Sequence, residues 1–235
     1  HQDKWDKSVF ETYNQASLNI DWMYELSQTA KEYEIDFITS PYSIELLNEV
    51  NKFCSSIKIG SGDLTYLEII KEALKKNKPV LIATGASTLE EVKRVMNLRD
   101  IQNAEIVLMQ CNTNYTGNKK NLKHIHLNVL KKYKKLFPNS ILGISDHSPG
   151  FVSVLGSVAL GARVVEKHFT DDNSRTGPDH SFAMDIKSWK EMICHTRDLE
   201  SALGNESKEI EANEIETKIL QRRSIRAKIN LKSGD

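Results

Sequence analysis

Lys58 sits between two isoleucines in a short apolar run, Ser56-Ile57-Lys58-Ile59-Gly60. If that run is a strand, its side chains alternate sides, and Lys58 points away from both Ile57 and Ile59. A buried ammonium without an anionic neighbour loses several kcal/mol to desolvation, so Lys58 needs a carboxylate or a phosphate beside it. The turn that follows, Gly60-Ser61-Gly62-Asp63, can offer backbone N–H groups and a hydroxyl to an anion, although glycine turns of this kind are common. Two further runs carry histidine. In residues 143–147, Ser145 and His147 share a face; in residues 164–169, Glu166 and His168 share a face opposite Val165, Lys167 and Phe169. Adjacent strands lie about 4.8 Å apart, so the two imidazoles can meet at one rim. Alone, either histidine reads as a hydrogen-bonded core residue. Together, and with a carboxylate nearby, they suit a divalent metal such as Mn²⁺.

Two loops add to this set. Gln110-Cys111-Asn112-Thr113-Asn114-Tyr115-Thr116-Gly117 is a strand end made of hydrogen-bonding side chains, which suits a polyhydroxy ligand. Cys111 has no histidine within that motif and reads as a buried thiol rather than a nucleophile. Thr176-Gly177-Pro178-Asp179-His180 follows the last apolar run, where a barrel carries active-site groups.

These residues need a framework that aligns strand ends. Apolar runs rich in β-branched residues occur at 35–40, 56–60, 79–85, 106–111, 141–147 and 164–169. Amphipathic segments at 18–33, 64–76, 88–97, 126–137, 153–161 and 186–203 alternate with them, with Asn19 or Asp21 as a cap for the first and Ser87-Thr88-Leu89-Glu90 resembling a capping box. Strand–helix alternation predicts an α/β fold with a parallel sheet. Six units of about 28 residues fall between 35 and 203, close to the ~30 per unit of a (β/α)8 barrel. An open doubly wound sheet is the rival, but no run leads into a GxGxxG turn.

Composition narrows the class further. The chain has 235 residues, with 32 Lys+Arg against 32 Asp+Glu, so a broadly basic nucleic-acid binder is excluded. Seven lysines and two histidines cluster in residues 119–135, but helical spacing turns most of the lysines away from Leu127, Leu130 and Tyr133, as on a solvated face. No apolar run is long enough to span a membrane. Three cysteines (Cys54, Cys111, Cys194) without a CxxC pair fit a reduced, cytoplasmic protein. The chain starts without Met and stops at Leu231-Lys232-Ser233-Gly234-Asp235, and both ends read as cuts.

The motifs KIGSGD (58–63), ATGAS (83–87), QCNTNYTG (110–117), GISDHSPG (143–150), EKHFTDD (166–172) and GPDH (177–180), in this order, resemble the sialic acid synthase family. The resemblance covers roughly residues 35–235. It implies a (β/α)8 TIM barrel lacking its first strands over residues 1–203, a linker over 204–218, and the truncated start of an antifreeze-like (SAF) domain over 219–235. It also implies condensation of phosphoenolpyruvate with an N-acetylated hexosamine aldehyde, releasing phosphate, in a full-length homodimer without nucleic-acid or membrane partners. Carried over by motif, Lys58, Ser61 and Ser145 would hold phosphoenolpyruvate, and Thr113 would stand where relatives use an Asn for the same ligand. His147 and His168 would bind Mn²⁺ or Mg²⁺. Tyr115 and Asp179 would contact the sugar, with Asp179 and Glu166 as the catalytic carboxylates. Ala83 in place of a Ser, and CNTNY in place of CTNIY, leave the acceptor open between N-acetylmannosamine and a di-N-acetylated hexose. A 3-deoxy-ulosonate type of synthase and a non-catalytic sugar-binding barrel are the alternatives.

Overall fold

The computed structural model describes residues 8–115, 117–177 and 179–234; Thr116 and Pro178, each inside a motif quoted above, lie outside the described residues. The chain divides into two units, His1–Ala202 and Leu203–Asp235. The first holds six strands: β1 (Ile38–Thr39), β2 (Ser56–Ile59), β3 (Val80–Ala83), β4 (Ile106–Cys111), β5 (Ile141–Asp146) and β6 (Ala162–Lys167). All pair in parallel in the order β1-β2-β3-β4-β5-β6. This is the topology of successive right-handed βα units, and the sheet curls into a half-barrel.

The helices are α1 (Val9–Ala16), α2 (Met23–Glu32), α3 (Ile44–Val50), α4 (Leu67–Leu74), α5 (Leu89–Met96), α6 (Val129–Leu136), α7 (Val152–Ala159) and α8 (Ile186–Leu203). The main core lies between the outer face of the sheet and helices α3 to α6. Ile57 and Ile59 of β2, Val80 and Ile82 of β3, Ile106 and Leu108 of β4, Leu142 of β5 and Ala162 of β6 pack there on Ile69, Ile70, Val92, Val95, Leu130 and Tyr133. The alternation expected for β2 therefore holds: its isoleucines face the helices and Lys58 faces the lumen.

Several boundaries differ from the sequence reading. β1 keeps only two residues of the run at 35–40, because it is an edge strand with Ile35 and Ile38 exposed. Helix α3 was not anticipated, although Ser43 caps it and Leu47 and Val50 are buried. The segment 18–33 splits into a 3-10 turn (Ile20–Trp22), capped by Asn19, and α2, which buries Met23 and Ala30 while Trp22 stays exposed. The capping box at α5 is one residue further on than expected: Thr88 is the cap and Glu91 closes the box. β6 starts at Ala162, because Arg163 is an extra residue opposite the Leu142–Gly143 step. A charged residue inside a strand hides that start from a search for apolar runs. The unit Leu203–Asp235 contains a 3-10 turn (Ala212–Glu214) and a short helix, α9 (Ile215–Gln221), with no buried residue among those described.

Candidate active site

The carboxyl ends of β2 to β6 bring every candidate residue to one rim. Lys58 is nearly buried; its Nζ lies 3.4 Å from Glu166 Oε2 and donates to the Ile59 carbonyl at 3.3 Å. Glu166 also accepts from Ser145 Oγ at 2.8 Å. Cys111, Ser145 and Glu166 are register partners across β4, β5 and β6, so they form one lumen-facing row. Burial pushes the Cys111 thiol above its usual range, against the hydrogen bonds of Ser61 and Ser145.

The 60–63 turn closes the site from the side. Ser61 Oγ accepts from the Gly85 N–H at 2.9 Å. A Cβ on Gly85 would lie 2.5 Å from Thr113 Cγ2, 2.8 Å from Ser61 Oγ and 3.0 Å from Cys111 Sγ, so only glycine lets these three groups close around it. This crowding is the role of Gly85 within the ATGAS motif. Asp63 lines the same side. Burial raises its carboxyl, with the Lys58 charge opposing.

The two histidines meet as expected, with ring centroids 5.1 Å apart. His147 Nδ1 lies 2.9 Å from the Asn112 carbonyl oxygen. A carbonyl only accepts, so Nδ1 carries the proton and Nε2 keeps the free lone pair. Burial, then the nearby His168, lowers the His147 pKa and keeps the ring neutral. His168 Nδ1 stands 3.4 Å from Asp179 Oδ2, an arrangement that likewise leaves Nε2 available. Metal-binding histidines commonly donate their other ring N–H to a carbonyl or carboxylate, and each of these has such an acceptor beside its Nδ1, so this pair fits a divalent cation. Among the described residues, no group of three or more His, Cys, Asp or Glu side chains is arranged to hold a metal ion. The Tyr115 ring covers the pair, 4.1 Å from His147 and 5.7 Å from His168 between centroids. Phe182 packs on His168 at 5.2 Å and on Tyr115 at 6.4 Å between centroids. Gly117, in the left-handed region at φ +61°, makes room for it, since a Cβ there would meet Phe182 Cβ at 2.2 Å.

Thus Lys58, Ser61, Thr113, Tyr115, Ser145, His147, Glu166, His168 and Asp179 belong to one contiguous cluster. Two residues that no reading of the lumen face could find stand directly behind it: Asp146 and Lys167, paired at 2.7 Å on the outer face. Their only sequence signal is that each immediately precedes one of the histidines.

A family profile described as "NeuB family" matches residues 1–208. The chain is 30% identical over 234 residues to the N,N'-diacetyllegionaminic acid synthase of Campylobacter jejuni, covering 98% of this chain and 69% of that one. It is 29% identical over 233 residues to the N-acetylneuraminate-9-phosphate synthase of Homo sapiens, covering 98% and 64%. Among solved structures, the N-acetylneuraminic acid (sialic acid) synthetase of Leptospira borgpetersenii, in complex with citrate, superposes with a TM-score of 0.82 at 22% identity. That match covers 94% of this chain and 78% of the other, a likeness of fold. The chain spans about two thirds of the length of the curated relatives it matches.

Proposed function

The chain belongs to the NeuB family, and on that premise we propose that it carries the reaction centre of a nonulosonic acid synthase. The reaction is condensation of phosphoenolpyruvate with an N-acetylated hexosamine aldehyde and water, giving a sialic-type acid and phosphate. One observation carries the reading: a buried cation, a hydroxyl-lined turn and a pair of oriented imidazoles converge on one rim of the sheet.

Each part has a physical task. Lys58 and the 60–63 turn supply the charge and hydroxyl that phosphoenolpyruvate requires, with Ser145 and Thr113 beside them. Glu166 holds the Lys58 ammonium in its absence and can exchange it for the ligand's anionic oxygens. His147 and His168 would hold Mn²⁺ or Mg²⁺ through Nε2, and such a cation, when bound, supplies Lewis-acid polarisation of the aldehyde oxygen. Carbon 3 of the enol then forms a bond to the aldehyde carbon, and the aldehyde oxygen takes up a proton. Water adds at the electron-poor carbon 2; as the bond from carbon 2 to the phosphate oxygen breaks and the ketone forms, it gives up both protons, one balancing that taken by the aldehyde oxygen and one leaving with the phosphate. Asp179, next to His168, would orient that water or handle a proton, and Tyr115, over the His147 ring, would wall the aldehyde subsite. The relatives are named for different products, which supports an N-acetyl or di-N-acetyl hexose as the acceptor. The decisive assay is mass spectrometry of products from phosphoenolpyruvate, Mn²⁺ and both acceptor types, alongside phosphorylated aldehyde sugars. Release of phosphate only with a phosphorylated aldehyde lacking the N-acetyl group would replace this reading with the 3-deoxy-ulosonate one.

A further inference from the structure

Asp146 and Lys167 are register partners at the last paired step of β5 and β6, and each immediately precedes a histidine of the rim. Their side chains are almost fully buried, at 0% and 2% exposure. Lys167 Nζ donates to Asp146 Oδ2 and to the Ser148 carbonyl, each at 2.7 Å. The Asp146 carboxylate also accepts from the Ser148 N–H and hydroxyl, both at 3.0 Å, and from the Ser153 hydroxyl at the start of α7. The lysine is thus satisfied on one side by β5 and on the other by the turn that carries His147.

As a stabilising device this is a poor choice. An ion pair taken out of water is often matched by apolar residues of the same volume, which Val154, Val165 and Trp189 already illustrate on this outer side. What an ion pair adds is direction. The β5–β6 ladder needs that, because it is irregular: Leu142 pairs with Ala162 but Gly143 with Val164, so Arg163 is an extra residue. A ladder with one slip in it has a second register close at hand. In the unslipped register Asp146 would oppose Glu166, two like charges, and Lys167 would enter the lumen. His168 would leave the side occupied by His147.

We infer that the Asp146–Lys167 pair is a register clamp that sets the His147–His168 spacing, which makes both residues positioning residues for the rim imidazoles. The metal arm of this inference rests on the function proposed above; the register arm does not. The pair lies on the outer face, so its positioning effect passes through the backbone steps 146–147 and 167–168.

The test uses the full chain with Asp146→Asn, Lys167→Met and the double variant. Each single change strands a buried partner and lowers the thermal midpoint; the double change removes both charges and recovers most of that loss. In the double variant, amides at 145–149 and 166–169 are expected to exchange with solvent at least about tenfold faster than in the wild type, while β3 and β4 amides keep their rates. Mn²⁺ binding, followed by electron paramagnetic resonance, is expected to weaken by about 10- to 100-fold. A double variant with wild-type rim exchange overturns the clamp. Faster rim exchange with unchanged Mn²⁺ affinity overturns its positioning role. Wild-type protein that binds no Mn²⁺ refutes the metal assignment instead, and the exchange comparison then decides the clamp alone.

Discussion

Lys58 and Glu166 meet at 3.4 Å although three strands separate the ones that carry them. In a flat sheet four strand spacings would hold their backbones about 19 Å apart. The contact therefore runs across a lumen, as a chord between β2 and β6, and it requires the sheet to curl. The same curl lets residues from five strands converge, so fold and site are one geometric fact.

That chord gives the first prediction. Lys58→Met removes the buried cation and should raise KM for phosphoenolpyruvate by roughly 100-fold, about the worth of one or two charge-assisted hydrogen bonds. Glu166→Gln instead leaves Lys58 without its counter-charge. The glutamate side chain is 43% exposed, so water offsets part of the loss. The expected cost is about 1–2 kcal/mol, below that of a closed pair, and a thermal melt should show a fall of about 2–8 °C. A midpoint unchanged in Glu166→Gln would mean that the chord is not an energetic contact.

Gly85→Ala should damage the site with little effect on the fold. The added methyl must displace Thr113, Ser61 or Cys111, all lumen-side groups, while the outer core is untouched. Overpacking of this kind costs about 1–3 kcal/mol. Affinity for phosphoenolpyruvate should drop at least about tenfold in a calorimetric titration, with a far-ultraviolet spectrum like that of the wild type.

The sequence showed the lumen face well and the outer face poorly, for a physical reason. Strand alternation around Lys58, Ser145/His147 and Glu166/His168 predicts which side chains share a side, and the structure agrees. Alternation says nothing about register, so the Arg163 irregularity and the Asp146–Lys167 pairing were hidden. Gly85 was visible as part of the ATGAS motif, but its tight contacts come from segments far apart in sequence. Helix α3 was missed because it is only seven residues long, too short for helical periodicity to stand out.

Thiol reactivity should separate the three cysteines. Burial raises the pKa of Cys54 and Cys111, so little thiolate exists at neutral pH and reagents reach neither readily. Cys194 is exposed on α8. An aromatic disulfide reagent at pH 7.5 should titrate one thiol quickly and the other two only after denaturation. Phosphoenolpyruvate should not protect the fast thiol. Three equally fast thiols would contradict the packing of the lumen.

Asp63 offers a pH test whose sign is fixed by its surroundings. Burial raises its carboxyl above the ordinary aspartate range, and the opposing pull of Lys58 does not cancel that. The native state thus binds this proton more tightly than the unfolded chain does. Above the raised folded pKa both states carry the charge, and the native state bears the whole desolvation penalty. As the pH falls through the folded pKa the native carboxyl takes up its proton and the penalty fades, until it is gone below about 3.8. Asp63→Asn removes a charge that is costly in the folded state, so the variant should be more stable than the wild type near pH 7. Its advantage should shrink steadily as the solution is acidified toward pH 4. Urea unfolding of both proteins between pH 4 and 8 measures the difference directly. An advantage that grows on acidification would show that Asp63 is held as a stabilising carboxylate, paired more strongly with Lys58 than it is penalised by burial.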